Sequence, residues 1–317
     1  MQLEQRAGQA QLRSTQGSRL TDSVMRIVCL VCAILLVAVI VGVFLLLGLN
    51  AFKVFGEGAT VGGYLLGTNW DPTGGSGTPH YGAGGLILGS VITTLIAVLI
   101  ATPLSFGMAL FFTELCPRWL ARLLQPLIEI FTGMPSVVIG LLGLVILVPF
   151  LTRVIGPLEG KSQTAGYGWG AAILVLIIMI MPTIISISID ALRAVPISVR
   201  EASLALGSTR WQMMSRAIIP AATTGLATAV VLGIARAIGE TIAVALVLAG
   251  SGVPKNLFTF TAFFQPNVNI TQQIAQDFGE AFGAARDAYY TLAFVLLIIA
   301  FLFVCISRYL ASRSVYK

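Results

Sequence analysis

The chain has 317 residues, of which 57% are hydrophobic and only 10% charged, with a mean hydropathy of +0.93. Soluble domains carry about 25% charged residues, so a polar shell around a water-solvated core is excluded and lipid must solvate much of the surface. The net charge of +6 and pI near 9.4 do not signal nucleic acid, because the basic residues sit in short segments between apolar runs, not among aromatics on a polar face.

Residues 1–26 are rich in Gln, Ser and Arg and read as a poorly ordered tail. Ile27–Leu49 is the first apolar run. It is too long for a signal-peptide core and lacks a small-x-small cleavage site, which predicts a retained span, 27–49. Residues 50–85, rich in Gly, Thr and Pro and carrying Trp70 and Tyr81, form an outer loop that is either a solvated connection or a partner's landing site. The core, 86–309, holds the other spans: Leu86–Phe112, Val137–Leu151, Gly170–Ile189, Ala222–Ala249 and Tyr289–Ser307. Crossing a bilayer takes about 20 residues, so the short Val137–Leu151 is expected to extend backwards through Pro135 into residues 123–134. Pro103, Pro149 and Pro182 lie within or at the edges of spans. Each removes a backbone donor and favours a kink, which membrane helices tolerate when neighbours satisfy the freed carbonyl. A second outer loop, 250–288, carries Asp277, Glu280 and Asp287, and 310–317 is a short tail. The class is an all-α polytopic membrane protein of about six spans.

Charge orients it. With the N-terminus inside, the inner segments hold Arg6, Arg13, Arg19, Arg26, Arg118, Arg122, Arg193, Arg200, Arg210, Arg216, Arg308, Arg313 and Lys317. The outer segments hold Lys53, Arg153, Lys161, Lys255 and Arg286, while Arg236 falls inside a span. That asymmetry needs the weak third span to be real and puts both termini in the cytoplasm.

Catalytic chemistry finds no support. Cys29 and Cys32 have a CxxC spacing but lie inside an apolar run, where small packing residues are expected in place of a redox or zinc pair; Cys116 and Cys305 suggest no disulfide framework. His80 has no neighbouring ligand type. Gly156–Ser162 imitates a phosphate-binding loop, but it is one residue short between the glycines and follows no strand. No Ser-His-Asp set, carboxylate pair, metal site or cofactor site is predicted.

Two features remain. The first is 190–221, DALRAVPISVREASLALGSTRWQMMSRAIIPA. It reads as two short helices broken at Gly207–Ser208–Thr209, with Gly207 at positive φ and Ser208 or Thr209 as a cap. The first helix shows an apolar face while Arg200 and Glu201 stay in water. A rigid helix pair of this kind suits the groove of a soluble partner. The alternative is an ordinary inner loop ending at a helix-starting proline. The second feature is the pair Arg236 and Glu240 in the otherwise uncharged run 222–249. At about 1.5 Å per residue Arg236 lies roughly 20 Å from either end, and a lone Arg there costs about 2.5–3.5 kcal/mol on insertion scales. The spacing of four puts both charges on one helix face, where they partly neutralise each other. Such charges mark a polar pathway, and a planar guanidinium fork matches phosphate or carboxylate. The alternative is a structural ion pair.

The inner segment resembles the EAA loop of bacterial ABC-importer permeases: Glu-Ala-Ala, three residues, Gly, nine residues, then Ile-x-Leu-Pro. Here stand Glu201, Ala202, Ser203, then Gly207, then Ala217, Ile218, Ile219, Pro220. Both spacings match, and Ser203, Ala217 and Ile219 depart from the pattern by small or apolar exchanges. ARAIGETIAV at 235–244, TGMPSVVIGLLGL at 132–144 and FFTELCP at 111–117 resemble the PstC-type subunit of phosphate-specific transport (Pst) permeases, a likeness covering about 85–300.

The resemblance implies a type I ABC importer permease fold with cytoplasmic EAA coupling helices, in a bacterial cytoplasmic (inner) membrane. It implies that Glu201, Ala202, Ser203, Gly207, Ile219 and Pro220 form the ATPase coupling loop and that Arg236 and Glu240 line a phosphate pathway. The implied partners are a second permease (PstA-like), an ATPase subunit dimer (PstB-like) that uses the ATP, and a soluble phosphate-binding protein (PstS-like). Sulfate or another oxyanion as substrate, a secondary anion transporter or channel, and a membrane scaffold are the competing readings.

Overall fold

A computed structural model describes residues 2–56, 58–75, 77–159, 166–250, 252 and 260–313. Helix α1 runs Gln2–Ala51. The tail expected to be poorly ordered is thus helical and continuous with the first span. From Thr21 onward α1 has the apolarity of a crossing, and its described side chains are exposed as far as Leu46. Its C-terminal end is tied down where Thr291 Oγ1 donates to the Ala51 carbonyl at 2.8 Å.

The loop 50–85 carries structure of its own, with Val54, Tyr64 and Ala83 buried beneath a largely exposed surface. It contains α2 (Lys53–Gly56), α3 (Val61–Leu66) and a two-residue antiparallel ribbon, β1 (Trp70–Asp71) with β2 (His80–Tyr81). Thr60 caps α3 by accepting from the Gly63 N–H. Tyr64 is buried, donates its hydroxyl to the Ala288 carbonyl at 2.9 Å, and meets the Trp70 ring edge-on at 5.9 Å. Burial pushes the Tyr64 phenol pKa well up, and Tyr289 adds to the effect. Trp70 in turn stands edge-on to Tyr289 at 5.5 Å, so aromatic pairs fasten the loop to the last long helix.

The following elements are α4 (Gly84–Leu110), α5 (Arg118–Gly133), α6 (Ser136–Leu142), α7 (Val148–Ile155), α8 (Trp169–Arg193), α9 (Ile197–Ala205), α10 (Arg210–Met213), α11 (Ile219–Ala221), α12 (Thr223–Gly239), α13 (Ile242–Leu248), α14 (Ile270–Asp277) and α15 (Gly283–Arg313). Five stretches among the described residues have the length and apolarity of a crossing: Thr21–Gly56, Gly84–Leu115, Ser136–Ile155, Trp169–Arg193 and Gly283–Tyr309. Arg210–Ala221 and Thr223–Gly239 qualify together as a sixth, bent by 72°. The third span does not extend backwards through Pro135. Met134 and Pro135 are extended, with ψ of 135° and 133°, because a residue before proline is driven out of the α region. Residues 136–155 cross alone, and α5 is a separate amphipathic helix.

Two prolines, Pro149 and Pro220, are absorbed by widened turns, and a third widened turn ends a helix just ahead of Pro117. Phe111–Leu115, Gly143–Leu147 and Met214–Ile218 are π-helical. In each, the residue just before a proline closes the turn: Cys116 donates to Phe111 O, Val148 to Gly143 O, and Ile219 to Met214 O. A proline ring crowds the carbonyl four residues back and supplies no N–H; widening that turn relieves both problems. The kink expected at Pro149 becomes such a turn, while α4 and α8 continue through Pro103 and Pro182.

The core forms around α8, 67% buried along its crossing stretch. A helix apolar on all sides belongs at the centre of a bundle. Leu176, Ile180 and Ile184 of α8 meet Ala97 and Ala101 of α4 and Ala229 and Ala237 of α12. A second cluster around Tyr64, Ile270 and Tyr289 closes one end of the bundle, and a third around Phe112, Leu192 and Ile218 closes the other. The described part of loop 250–288 also turns inward: Asn267, Ile270 and Gln272 are fully buried. Trp169 Nε1 donates to Val268 O at 3.2 Å, and the Ile270 N–H to Ser90 Oγ at 2.9 Å.

Candidate functional site

The segment 190–221 folds as two short helices, with the break where the sequence puts it. Pro196 starts α9, and the chain leaves α9 through Gly207 at φ +77°, whose N–H donates to Leu204 O at 2.9 Å. A left-handed turn residue without a Cβ meets no steric penalty there. Thr209 is the cap of α10: its Oγ1 accepts from the Gln212 N–H, and Gln212 Oε1 accepts from the Thr209 N–H, a reciprocal capping box. Ser208 instead folds back to donate to Ser203 O at 2.7 Å, with the two hydroxyls 2.8 Å apart. Ser203, the departure from Ala in the loop pattern, therefore helps close the hairpin.

Glu201, Ala202 and Gly207 are exposed, Ser203, Ile219 and Pro220 half-buried. The exposed apolar side chains Ile197, Leu204, Leu206 and Trp211 project beside them, Leu206 at 89%. Large apolar groups on a polar-rimmed protrusion mark a contact surface. The expectation that Arg200 stays wet is overturned: it turns inward to an ion pair with Glu114 at 3.1 Å, its side chain only 20% exposed.

The second site residues also differ from expectation. The helix stops at Gly239; Glu240 is extended (φ −79°, ψ 110°), and α13 begins at Ile242. Arg236 and Glu240 therefore share no helical face, and no ion pair joins them among the described residues. Arg236 Nη1 donates to Thr183 Oγ1 of α8 at 3.1 Å. Glu240 lines a small cavity with Ser90, Thr93, Thr94, Asn269 and Thr271, which has room for about one water molecule. An interrupted helix at membrane depth is tolerated only where protein or a wet cavity surrounds it, and Glu240 at the break borders this partly polar space, whose walls also include Leu176, Val244 and Phe303. The half-helix α13 is held close to α6: a Cβ built on Gly140 would stand 2.6 Å from Ala243 Cα. Segments 132–144 and 235–244, singled out separately in the sequence, are thus in contact.

One face of α12 has no cover among the described residues. Thr224, Thr228, Leu232, Ala235 and Gly239 are exposed and recur at helical spacing, while Leu226, Ala229, Gly233 and Ala237 are buried behind them. Arg236 sits half-buried at the edge of this face. Sequence reasoning missed Glu114, Thr183 and the hydroxyl cluster around Glu240. Of these only Glu114 carried a signal, as the acidic residue at the end of an apolar run. The phosphate-loop imitation begins as a 3₁₀ turn, Gly156–Glu159, after α7; its residues 160–162 lie outside the described residues.

Residues 101–315 match the family of binding-protein-dependent transport system inner membrane components. The chain is 38% identical over 309 residues to the probable ABC transporter permease protein YqgH of Bacillus subtilis, covering 95% of this chain and 94% of that protein. It is 37% identical over 264 residues to the phosphate transport system permease protein PstC of Xylella fastidiosa (79% and 78% covered). With PstC of Mesorhizobium japonicum it shares 34% over 309 residues (93% and 91%). Among solved structures it resembles the inward-facing MetNI methionine ABC transporter, with TM-score 0.55 and 22% identity over 73% of this chain and 95% of that one. It also resembles a bacterial ABC transporter that imports the acidic polysaccharide alginate, with TM-score 0.54 and 15% identity over 72% and 78%. These two likenesses concern the fold.

Proposed function

The chain belongs to the family of binding-protein-dependent transport system inner membrane components, and on that premise we propose that this ABC-importer permease conducts inorganic phosphate across a bacterial cytoplasmic membrane. The observation that carries the choice of solute is Arg236. Its guanidinium lies in the fifth crossing at the edge of an uncovered helix face, and its hydrogen-bond partner is the neutral Thr183 hydroxyl and not a carboxylate. A guanidinium not neutralised by a neighbouring carboxylate presents a fork to a passing oxyanion, and a site of few contacts releases it again. The naming of the PstC relatives supports phosphate as that oxyanion.

The rest of the reading follows. Glu240 acts from the helix interruption beside the pathway and Arg236 within it. The uncovered face of α12 meets a second, PstA-like permease, which completes the conduit. The hairpin surface of Glu201, Ala202, Ser203 and Gly207, hinged at Ile219 and Pro220, seats in a PstB-like ATPase dimer, where ATP is hydrolysed. A PstS-like soluble protein delivers phosphate at the opposite face, and both termini lie in the cytoplasm.

The test is Arg236→Gln in the assembled transporter. The complex should purify intact while phosphate uptake falls about 100-fold, the scale of losing hydrogen bonds to a charged group at about 1.5–3 kcal/mol. Normal uptake would overturn the pathway role. Excess sulfate should leave labelled phosphate uptake unchanged; strong competition would favour a broader oxyanion permease.

A further inference from the structure

Arg200 is gripped from three sides. Its Nε and Nη2 donate to Glu114 Oε1 at 3.2 and 3.1 Å, Nη1 to Val195 O at 2.6 Å, and Nη2 also to Leu192 O at 2.9 Å. Glu114 lies in the widened turn Phe111–Leu115 that ends the second span; Leu192 belongs to the last turn of α8, and Val195 follows it. One side chain of α9 thus reaches the ends of two spans. The hairpin is meanwhile closed on itself by the Ser203–Ser208 bonds and the Thr209–Gln212 capping box, so it can move as a unit. Its other attachments are apolar, through Val199, Met213, Met214 and Ile218, and dispersion contacts have no direction. A guanidinium fork held by a carboxylate and two carbonyls has one.

We propose that Arg200 and Glu114 form the joint that delivers displacement of the hairpin to α4 and α8, making both of them positioning residues for transport. This rests on the permease reading. If the ATPase pushes the hairpin, the short connection Ala194–Pro196 ties it to α8 in any case, but apolar packing alone lets it slip past the end of α4, whereas the joint makes that end follow.

The test uses the whole transporter in lipid nanodiscs and vesicles, with Arg200→Gln, Glu114→Gln and the double variant. Phosphate uptake should fall about tenfold in each single variant, within the range for residues along a coupling route, while ATP hydrolysis stays within about twofold of wild type. The double variant should be no worse than either single one, because the two residues act as one unit. Spin labels at Ser198 on α9 and Leu104 on α4 give a readout that does not depend on the solute. Their separation should stay constant on ATP binding in the wild type and change in the variants. Unchanged uptake, additive losses, or uptake and hydrolysis falling together with loss of the complex would each overturn the joint. Failure of the phosphate reading would show differently: the wild type would not take up phosphate, yet the labels would still report the joint.

Discussion

The α9–α10 hairpin and the interrupted span of α12 and α13 follow each other in the chain and handle charge in opposite ways. In the hairpin, Arg200 finds its carboxylate 86 positions away, and the pair is tucked between two span ends. In the span, Arg236 and Glu240 are four positions apart and do not meet, because the helix stops between them. Sequence spacing suggested the reverse. The contrast separates two uses of arginine. A paired, half-buried guanidinium is a fastening; one bonded only to a neutral hydroxyl keeps its field available for an anion.

The comparison breaks most visibly if Arg236 behaves as a fastening. Arg236→Lys retains the charge but not the fork, so uptake should fall about tenfold with assembly unaffected, well short of the loss expected for Arg236→Gln; full activity of the lysine variant would remove the fork argument. Next in size is Gly140→Ala, whose added Cβ meets the Ala243 backbone at 2.6 Å. It should cost about 1–3 kcal/mol, as overpacking does, read from thermal unfolding in detergent. A neutral result would mean that α6 does not hold α13 in place. Gly207→Ala meets nothing within 4 Å and carries only the left-handed penalty of about 1–2 kcal/mol; the same assay reads it, and a smaller loss would show that the hairpin turn relaxes. The smallest effect is the sharpest. Charge-neutral Arg236→Gln and Glu240→Gln should act additively on stability to within about 0.5 kcal/mol, as residues without a shared contact do. Coupling above that would restore the ion pair that the extended backbone at Glu240 argues against.

The hairpin was legible because its determinants are local. Pro196, Gly207, Thr209 and Gln212 each act within four residues, and for the break itself the open point was the choice between Ser208 and Thr209 as cap. The Arg200–Glu114 pair was not legible, since nothing in either neighbourhood names a partner in another span. The break at Glu240 was hidden by the apolar residues on both sides, whose hydropathy is the same whether a helix continues or restarts. Here Gly239, a poor helix former, was a signal that went unused. At Pro135 the chemistry was available, but the shortness of 137–151 outweighed it. The helical winding of residues 2–26 could not be foreseen from composition alone, because the polar sequence continues the helix of the first span. Hydropathy did yield the spans, which depend on averages rather than on single contacts.

The widened turn at Phe111–Leu115 bears on rotation as well as on proline. An α-helix advances about 100° per residue, and a π-turn holds one residue more than an α-turn. The residues at its end, Glu114 among them, are therefore shifted in phase relative to regular winding, and the helix stops directly after them at the extended Cys116. The azimuth at which Glu114 leaves the second span, and hence its alignment with Arg200, is set by that extra residue. Deleting Thr113 would restore regular winding at the span end and swing the carboxylate by roughly a quarter turn relative to the bundle. At this position, chain length within a single turn acts as a phase setting for a contact made with a different helix.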